Sequence, residues 1–176
     1  MYKKNKIYNL FFLLIIVVTT LMVSCSNVKD LEEYSPELEK LLITNEGVLR
    51  GVEIGMNLET VKKIEKAALS DESNDYLYYD ATLNESDYFT INYYFSEKGL
   101  YEITMDVYQD NTANALSLKN ALETYLNDKY GKSKIKDDYM IWETDAKGFK
   151  NVEISLFGEE REEGGGYVSL SVIAYE

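Results

Sequence analysis

The sequence predicts an α+β fold: a tandem repeat of a helix plus a three-stranded antiparallel meander, giving a sheet of about six strands with helices on one face. Three observations predict it. An amphipathic helical pattern followed by three strand patterns occurs twice. Matching positions of the two units keep constant spacings. Apolar residues in the strands alternate with period two, so one side of the sheet is apolar and the other is not.

The elements follow in order. The chain opens MYKKNKIYNLFFLLIIVVTTLMVSC, with Lys3, Lys4 and Lys6 ahead of a run, Leu10 to Val23, that is apolar except at Thr19 and Thr20. A basic start, an apolar stretch shorter than the ~20 residues of a spanning helix and a small, polar exit predict a cleaved export signal over 1–24. Residues 25–46 read as a tether with some local order. Within it, Ser35-Pro36-Glu37 is a helix start: an N-cap serine, proline at the first helical position and an acid near the positive end of the dipole. LEKLLI continues it, and an extended piece from Val48 to Ile54 leads into a single globular domain over 47–176.

The first unit, 55–108, opens with GMNLETVKKIEKAAL. Asn57 is its N-cap, and Leu58, Val61, Ile64, Ala68 and Leu69 form an apolar stripe at helical spacing. Strand patterns follow at 76–81, 88–95 and 100–108. The second unit, 112–175, opens with a longer helix whose stripe is Ala115, Leu118, Ala121, Leu122, Tyr125 and Leu126, closed by Gly131. Its strands are predicted at 139–144, 151–157 and 167–175. Tyr76 and Tyr139, Tyr79 and Trp142, Phe89 and Val152, and Ile91 and Ile154 all differ by 63; Ile103 and Leu170, and Met105 and Val172, differ by 67 because the EEREEGGG turn is longer.

Leu21-Met22-Val23-Ser24-Cys25 resembles the bacterial lipobox. The resemblance implies a diacylglyceryl group on the Cys25 thiol and cleavage just before it, making Cys25 the lipid-attachment residue and the membrane its first partner. Dual or triple acylation anchors a protein stably, whereas one chain holds it marginally. Cys25 is the sole cysteine, so no disulfide is expected and the core alone must stabilise the body. The implied location is the cell envelope, the outer membrane ahead of the inner, and not the cytoplasm.

Loss of residues 1–24 removes three lysines and no acid, taking the net charge from −13 to −16. So acidic a chain disfavours nucleic acid, whose phosphates require Lys and Arg. Histidine is absent, which removes the commonest general base and metal ligand together. No P-loop, GxGxxG or GxSxG occurs, and SDESND lacks the ligand pattern of an EF-hand loop. The expectation is a non-enzyme with no cofactor, no metal site and no catalytic residue. The alternatives are a carboxylate-dependent hydrolase of the envelope and a purely structural subunit of an envelope complex.

By the same alternation, Phe89, Ile91, Tyr93, Phe95, Ile103, Met105, Val107, Val152, Ile154 and Leu156 face the helices. The opposite face receives Tyr76, Tyr78, Tyr88, Tyr94 and Tyr108 from the first unit, and Tyr139, Phe157, Tyr175 and a run of serines from the second. Tyrosine mixed with Ser and Asn gives large contact area at low entropic cost. These seven tyrosines are therefore the candidate residues for contacting a protein partner, with a peptide or glycan as the other ligand classes.

The stretch Gly55-Met56-Asn57-Leu58-Glu59-Thr60-Val61, ahead of a helix and a meander, resembles the opening of two related families. One is the small lipoprotein of the outer-membrane barrel-assembly machinery (SmpA/OmlA); the other is the β-lactamase inhibitor protein-like (BLIP-like) fold, itself a tandem repeat. The resemblance implies a non-enzymatic binding domain whose open sheet face meets a protein. No functional residue is carried over, because nothing beyond this opening matches.

Overall fold

The computed structural model describes residues 28–161 and 164–175. Residues 1–24, expected to be an export signal, and Cys25 lie outside the described residues. Twelve elements follow in chain order: α1 (Leu31–Tyr34), α2 (Pro36–Leu42), α3 (Leu58–Ile64), β1 (Ala68–Glu72), β2 (Tyr76–Thr82), β3 (Tyr88–Ser96), β4 (Gly99–Gln109), α4 (Thr112–Tyr130), β5 (Lys134–Lys136), β6 (Tyr139–Thr144), β7 (Asn151–Glu160) and β8 (Gly166–Tyr175).

One antiparallel sheet holds all eight strands in the order β1-β2-β3-β4-β8-β7-β6-β5. Each meander zips outward from the central β4·β8 pair, so the chain's two halves meet only through these two strands within the sheet. The expected count of about six strands, three in each unit, is therefore corrected to eight. The two additional strands are the edges, β1 and β5. Every residue of both is exposed, so neither carries the apolar alternation by which strands are recognised.

The two expected N-caps form. Ser35 Oγ accepts the Glu37 amide at 3.1 Å, and Asn57 Oδ1 accepts the Thr60 amide at 2.9 Å. Asn111 caps α4 through the amides of Ala113 and Asn114. At 19 residues, α4 is about 28 Å long. Its buried Ala115, Leu118, Leu122, Tyr125 and Leu126 lie against β4, β8, β7 and β6. Its far end is secured by Trp142, whose indole N–H donates to Asn127 Oδ1 and to the Gly131 carbonyl at 3.1 and 2.9 Å.

Helix α3 is shorter than its apolar stripe predicts. It stops at Ile64, and Ala68 and Leu69 belong to β1, with Leu69 exposed. The cause is Glu65, whose backbone leaves helical space (φ −61°, ψ 139°). Its carboxylate accepts the amides of Lys66 and Ala67 at 2.6 and 2.7 Å, an alternative to continued helical bonding.

The same carboxylate anchors a buried polar cluster. Arg50 Nε donates to Glu65 Oε2 at 2.8 Å, Arg50 Nη2 to Oε1 at 2.5 Å, and the Tyr93 hydroxyl to Oε2 at 2.6 Å. Arg50 Nη1 donates to the Leu41 carbonyl at the end of α2. The tether expected over 25–46 is accordingly corrected from Leu31 onward. Leu31, Leu38, Leu41 and Leu42 are core residues, and α2 is bonded to the body through Arg50.

All helices contribute to one hydrophobic core, built on the sheet face of Tyr79, Ile91, Tyr93, Ile103, Met105, Trp142, Ile154, Leu156, Leu170 and Val172. Among the described residues, none of that core comes from the other face of the sheet. Among the described residues, no helix is long and apolar enough to cross a membrane.

Candidate functional site

The uncovered face of the sheet is a grid of side chains set by strand register. Its central row runs Tyr78, Asn92, Thr104, Ser171, Ser155 and Ile141 across β2, β3, β4, β8, β7 and β6. On one side of it lies the row Asp80, Thr90, Asp106, Ser169 and Phe157; on the other lies Tyr76, Tyr94, Glu102, Ile173, Glu153 and Glu143. A further row pairs Tyr88, Tyr108, Tyr167 and Glu159.

The seven candidate tyrosines do not form one patch. Tyr88 and Tyr108 stack at 4.8 Å, with an interplanar angle of 16°. Tyr108 meets Tyr167 at 5.3 Å, so three rings make a ladder across β3, β4 and β8. Tyr78 sits on β2 two residues from Tyr76, which pairs with Tyr94. These six rings, Tyr167 included, occupy the half of the face built by β2, β3, β4 and β8. Tyr139 is apart, stacked on Phe157 at 4.9 Å near the β5 edge. Tyr175 is also apart. It ends β8 eight residues beyond Tyr167, about 27 Å away along the strand.

Exposure grades the candidates. Tyr88, Tyr139 and Tyr175 are 47, 42 and 46 % exposed, whereas Tyr76, Tyr78, Tyr94 and Tyr108 are half-buried. Large aromatic area in this arrangement is what an interaction surface presents.

Sequence reading overlooked three features of this face. Tyr167 is one; the alternation that places Ser169 and Ser171 outward places Tyr167 outward too. The second is the set of acids, in two rows, threaded among the rings: Asp80 and Asp106, and Glu102 and Glu153. The third is Arg161, in the β7–β8 turn, whose guanidinium lies 5.6 Å from the centre of the Tyr108 ring.

Burial and the acids together raise the phenols. Asp106 Oδ1 accepts from the Tyr167 hydroxyl at 2.6 Å and from Ser169 Oγ at 2.7 Å. Burial and that carboxylate push the Tyr167 hydroxyl well above the ordinary phenol range. Hydrogen bonds to Asp71 and Asp80 raise Tyr76 and Tyr78 respectively, while burial, then the nearby charges of Glu102 and Asp106, raises Tyr94 and Tyr108. Each of these hydroxyls is thus a donor at neutral pH. The face presents aromatic rings and carboxylates together, with the Tyr76, Tyr78 and Tyr167 hydroxyls already donating to Asp71, Asp80 and Asp106.

Among the described residues, no group of three or more carboxylates is placed to hold a metal ion. A concavity on this face, lined by Lys136, Asp137, Tyr139, Ile141, Glu153 and Ser155, is open to solvent. No protein-family model, no curated protein and no solved structure matches the chain.

Proposed function

We propose that the chain is an exported, lipid-anchored lipoprotein of the cell envelope whose body is a non-enzymatic protein-binding module. The observation that carries this reading is the open sheet face: a contiguous group of tyrosines, held by stacking and register, that none of the described helices packs against. Rigid aromatic side chains on strands bind without the ordering cost that loops incur.

The finer reading of the fold as a tandem repeat has support in the strand ladders. Tyr79 pairs with Ile91 and Trp142 with Ile154; Leu77 pairs with Tyr93 and Met140 with Leu156. Both pairs of pairs differ by the offset of 63. The edges obey it as well, Asp71 with Tyr78 and Lys134 with Ile141. In the third and fourth strands Ile91 pairs with Met105 and Ile154 with Val172, keeping offsets of 63 and 67. The central pairing of Thr104 with Ser171, themselves 67 apart, would then lie on the approximate two-fold axis relating the copies. Each copy is a helix plus four strands, and an internal duplication accounts for that agreement most simply.

Two measurements test the proposal. Cys25→Ser should abolish incorporation of labelled palmitate and release the protein from membranes; unchanged labelling of the mutant would remove the lipid anchor from the reading. Alanine at Tyr88, Tyr94 and Tyr108 should abolish retention of a bound envelope protein. The stability cost of each should be about 1 kcal/mol or less, as expected for cross-strand pairs on a solvated face. A loss of several kcal/mol per site would assign these rings to the core instead.

A further inference from the structure

Building on the reading that this face binds a protein, we infer that the partner's contact segment is cationic: a polypeptide stretch presenting lysine or arginine to the tyrosine–carboxylate grid. Three observations lead there. The first is the sign of the face. Across β2, β3, β4, β8 and β7, the outward positions carry Asp80, Glu102, Asp106, Glu153 and Glu159 and no lysine or arginine. Around them, the basic residues of the same face among the described residues are Lys134 and Lys136 at the β5 edge and Arg161 in the β7–β8 turn.

The second is spacing. Asp80 and Asp106 lie in one row, two strands apart, as do Glu102 and Glu153 in another, so each pair is separated by about 10 Å. The rows are four residues apart along β4, about 14 Å. Between them runs the uncharged row of Asn92, Thr104, Ser171 and Ser155, in which Ser155 and Ser171 hydroxyls bond each other at 2.8 Å. Carboxylates separated in this way can each engage a different cationic side chain from one chain lying across the strands. Gathered at one point, they would instead describe an ion site.

The third is that the chain already seats a guanidinium here. Arg161 lies on Tyr108, and beyond Tyr108 the ladder continues to Tyr88, whose ring is the most exposed of the group. Asp80 is the diagonal neighbour of Tyr88 on β2, and Asp106 Oδ2 has no donor among the described residues. A ring face beside a carboxylate favours a cation through the quadrupole and the charge together. A second copy of this chain is a poor occupant, because face-to-face contact would set these acids against their own equivalents.

The test uses the full chain in detergent micelles and two fluorescent peptides, one alternating arginine with serine, the other alternating glutamate with serine. The arginine peptide should bind and the glutamate peptide should not. Tyr88→Ala should weaken binding about fivefold, while Tyr88→Phe, which keeps the ring, should not. Asp80→Asn, Asp106→Asn and Glu153→Gln should each weaken it about threefold to fivefold. Glu33→Gln and Glu123→Gln, on the helix layer, should leave it unchanged; equal losses there would mean unspecific attraction to an acidic protein and overturn the inference. Binding of the glutamate peptide, or of neither peptide, would also overturn it. The underlying reading is separable by cross-linking in the native envelope. A partner lost with Tyr88→Ala and Tyr108→Ala but indifferent to the four carboxylate substitutions, Glu102→Gln included, keeps the face and overturns the cation. A partner indifferent to both sets overturns both.

Discussion

Replacing Arg50 with alanine is expected to destabilise the protein by about 3–5 kcal/mol, read as a shift in the denaturant midpoint at constant slope. The size follows from what is left behind. Arg50 and Glu65 side chains are 2 and 0 % exposed, so removing the guanidinium strands a buried carboxylate. The Leu41 carbonyl loses its donor at the same time. Replacing the pair by apolar residues of similar shape, Arg50→Met with Glu65→Leu, should recover much of the loss, because no charge then remains unpaired. If the double variant is as unstable as Arg50→Ala, the cluster acts mainly through the geometry it imposes on α2 and the α3 terminus.

Acid provides an independent reading of the same cluster. Burial pushes the Glu65 carboxyl up, but the hydrogen bonds and charge of Arg50, with the Tyr93 hydroxyl and the Ala67 amide, outweigh it and hold the group at about 2, against 4.5 unperturbed. A carboxylate with a depressed native pKa stabilises fully above the unfolded value, and that contribution is lost as pH falls from about 4.5 towards 2. Stability of the wild type should therefore fall through this window. In Glu65→Gln the slope should be shallower by about one proton.

The second large effect is expected at Gly99. Its φ of +99° is a conformation that side-chained residues adopt at a cost of about 1–3 kcal/mol. A Cβ there would also overlap the Gly55 carbonyl oxygen and come within 2.8 Å of the Met56 carbonyl. Those two residues are bonded to the start of β4: the Gly55 amide donates to the Leu100 carbonyl at 2.8 Å, and the Leu100 amide to the Met56 carbonyl at 2.7 Å. Gly99→Ala must break this clasp or bend it. A loss of about 2–5 kcal/mol is expected by thermal or denaturant unfolding, adding strain to overpacking. An unchanged midpoint would show that the clasp is dispensable. Gly148→Ala, where a Cβ meets nothing, is the matched control for positive φ alone.

The clasp also gives a physical reason for the Gly-Met opening. In the sequence that stretch is a short motif before a helix; in the fold it is where the chain enters α3 while its backbone pairs with the sheet. The helix stop at Glu65 was not legible in the same way. The apolar spacing of Val61, Ile64 and Ala68 continues past it, and only a partner fifteen positions upstream, Arg50, makes an extended Glu65 favourable. Likewise, Leu38, Leu41 and Leu42 form a good apolar stripe, but whether it meets the body depends on Arg50 reaching the end of α2.

The edge strands escaped for a different reason. Strands reveal themselves by the face they bury, and β1 and β5 bury none. Their charges, Asp71 and Glu72 on one and Lys134 and Lys136 on the other, are what guards a sheet edge against further pairing. On the open face, alternation placed the seven candidate tyrosines strand by strand, though Tyr167 was missed. It could not tell that Tyr88, Tyr108 and Tyr167 stack while Tyr175 stands far off, because strand order and register are set between strands.

Local pattern alone thus determined the α+β class, the starts of α2, α3 and α4, the six interior strands and the side of the sheet that the seven candidate tyrosines occupy. These follow from backbone periodicity and capping, which act over a few residues. Tertiary structure decided the eight-stranded order, the end of α3, the docking of α2 and the interleaving of carboxylates with rings on the open face. Each of these depends on charges and hydrogen bonds between residues far apart in the chain, whose pairing exists only once the strands are laid side by side.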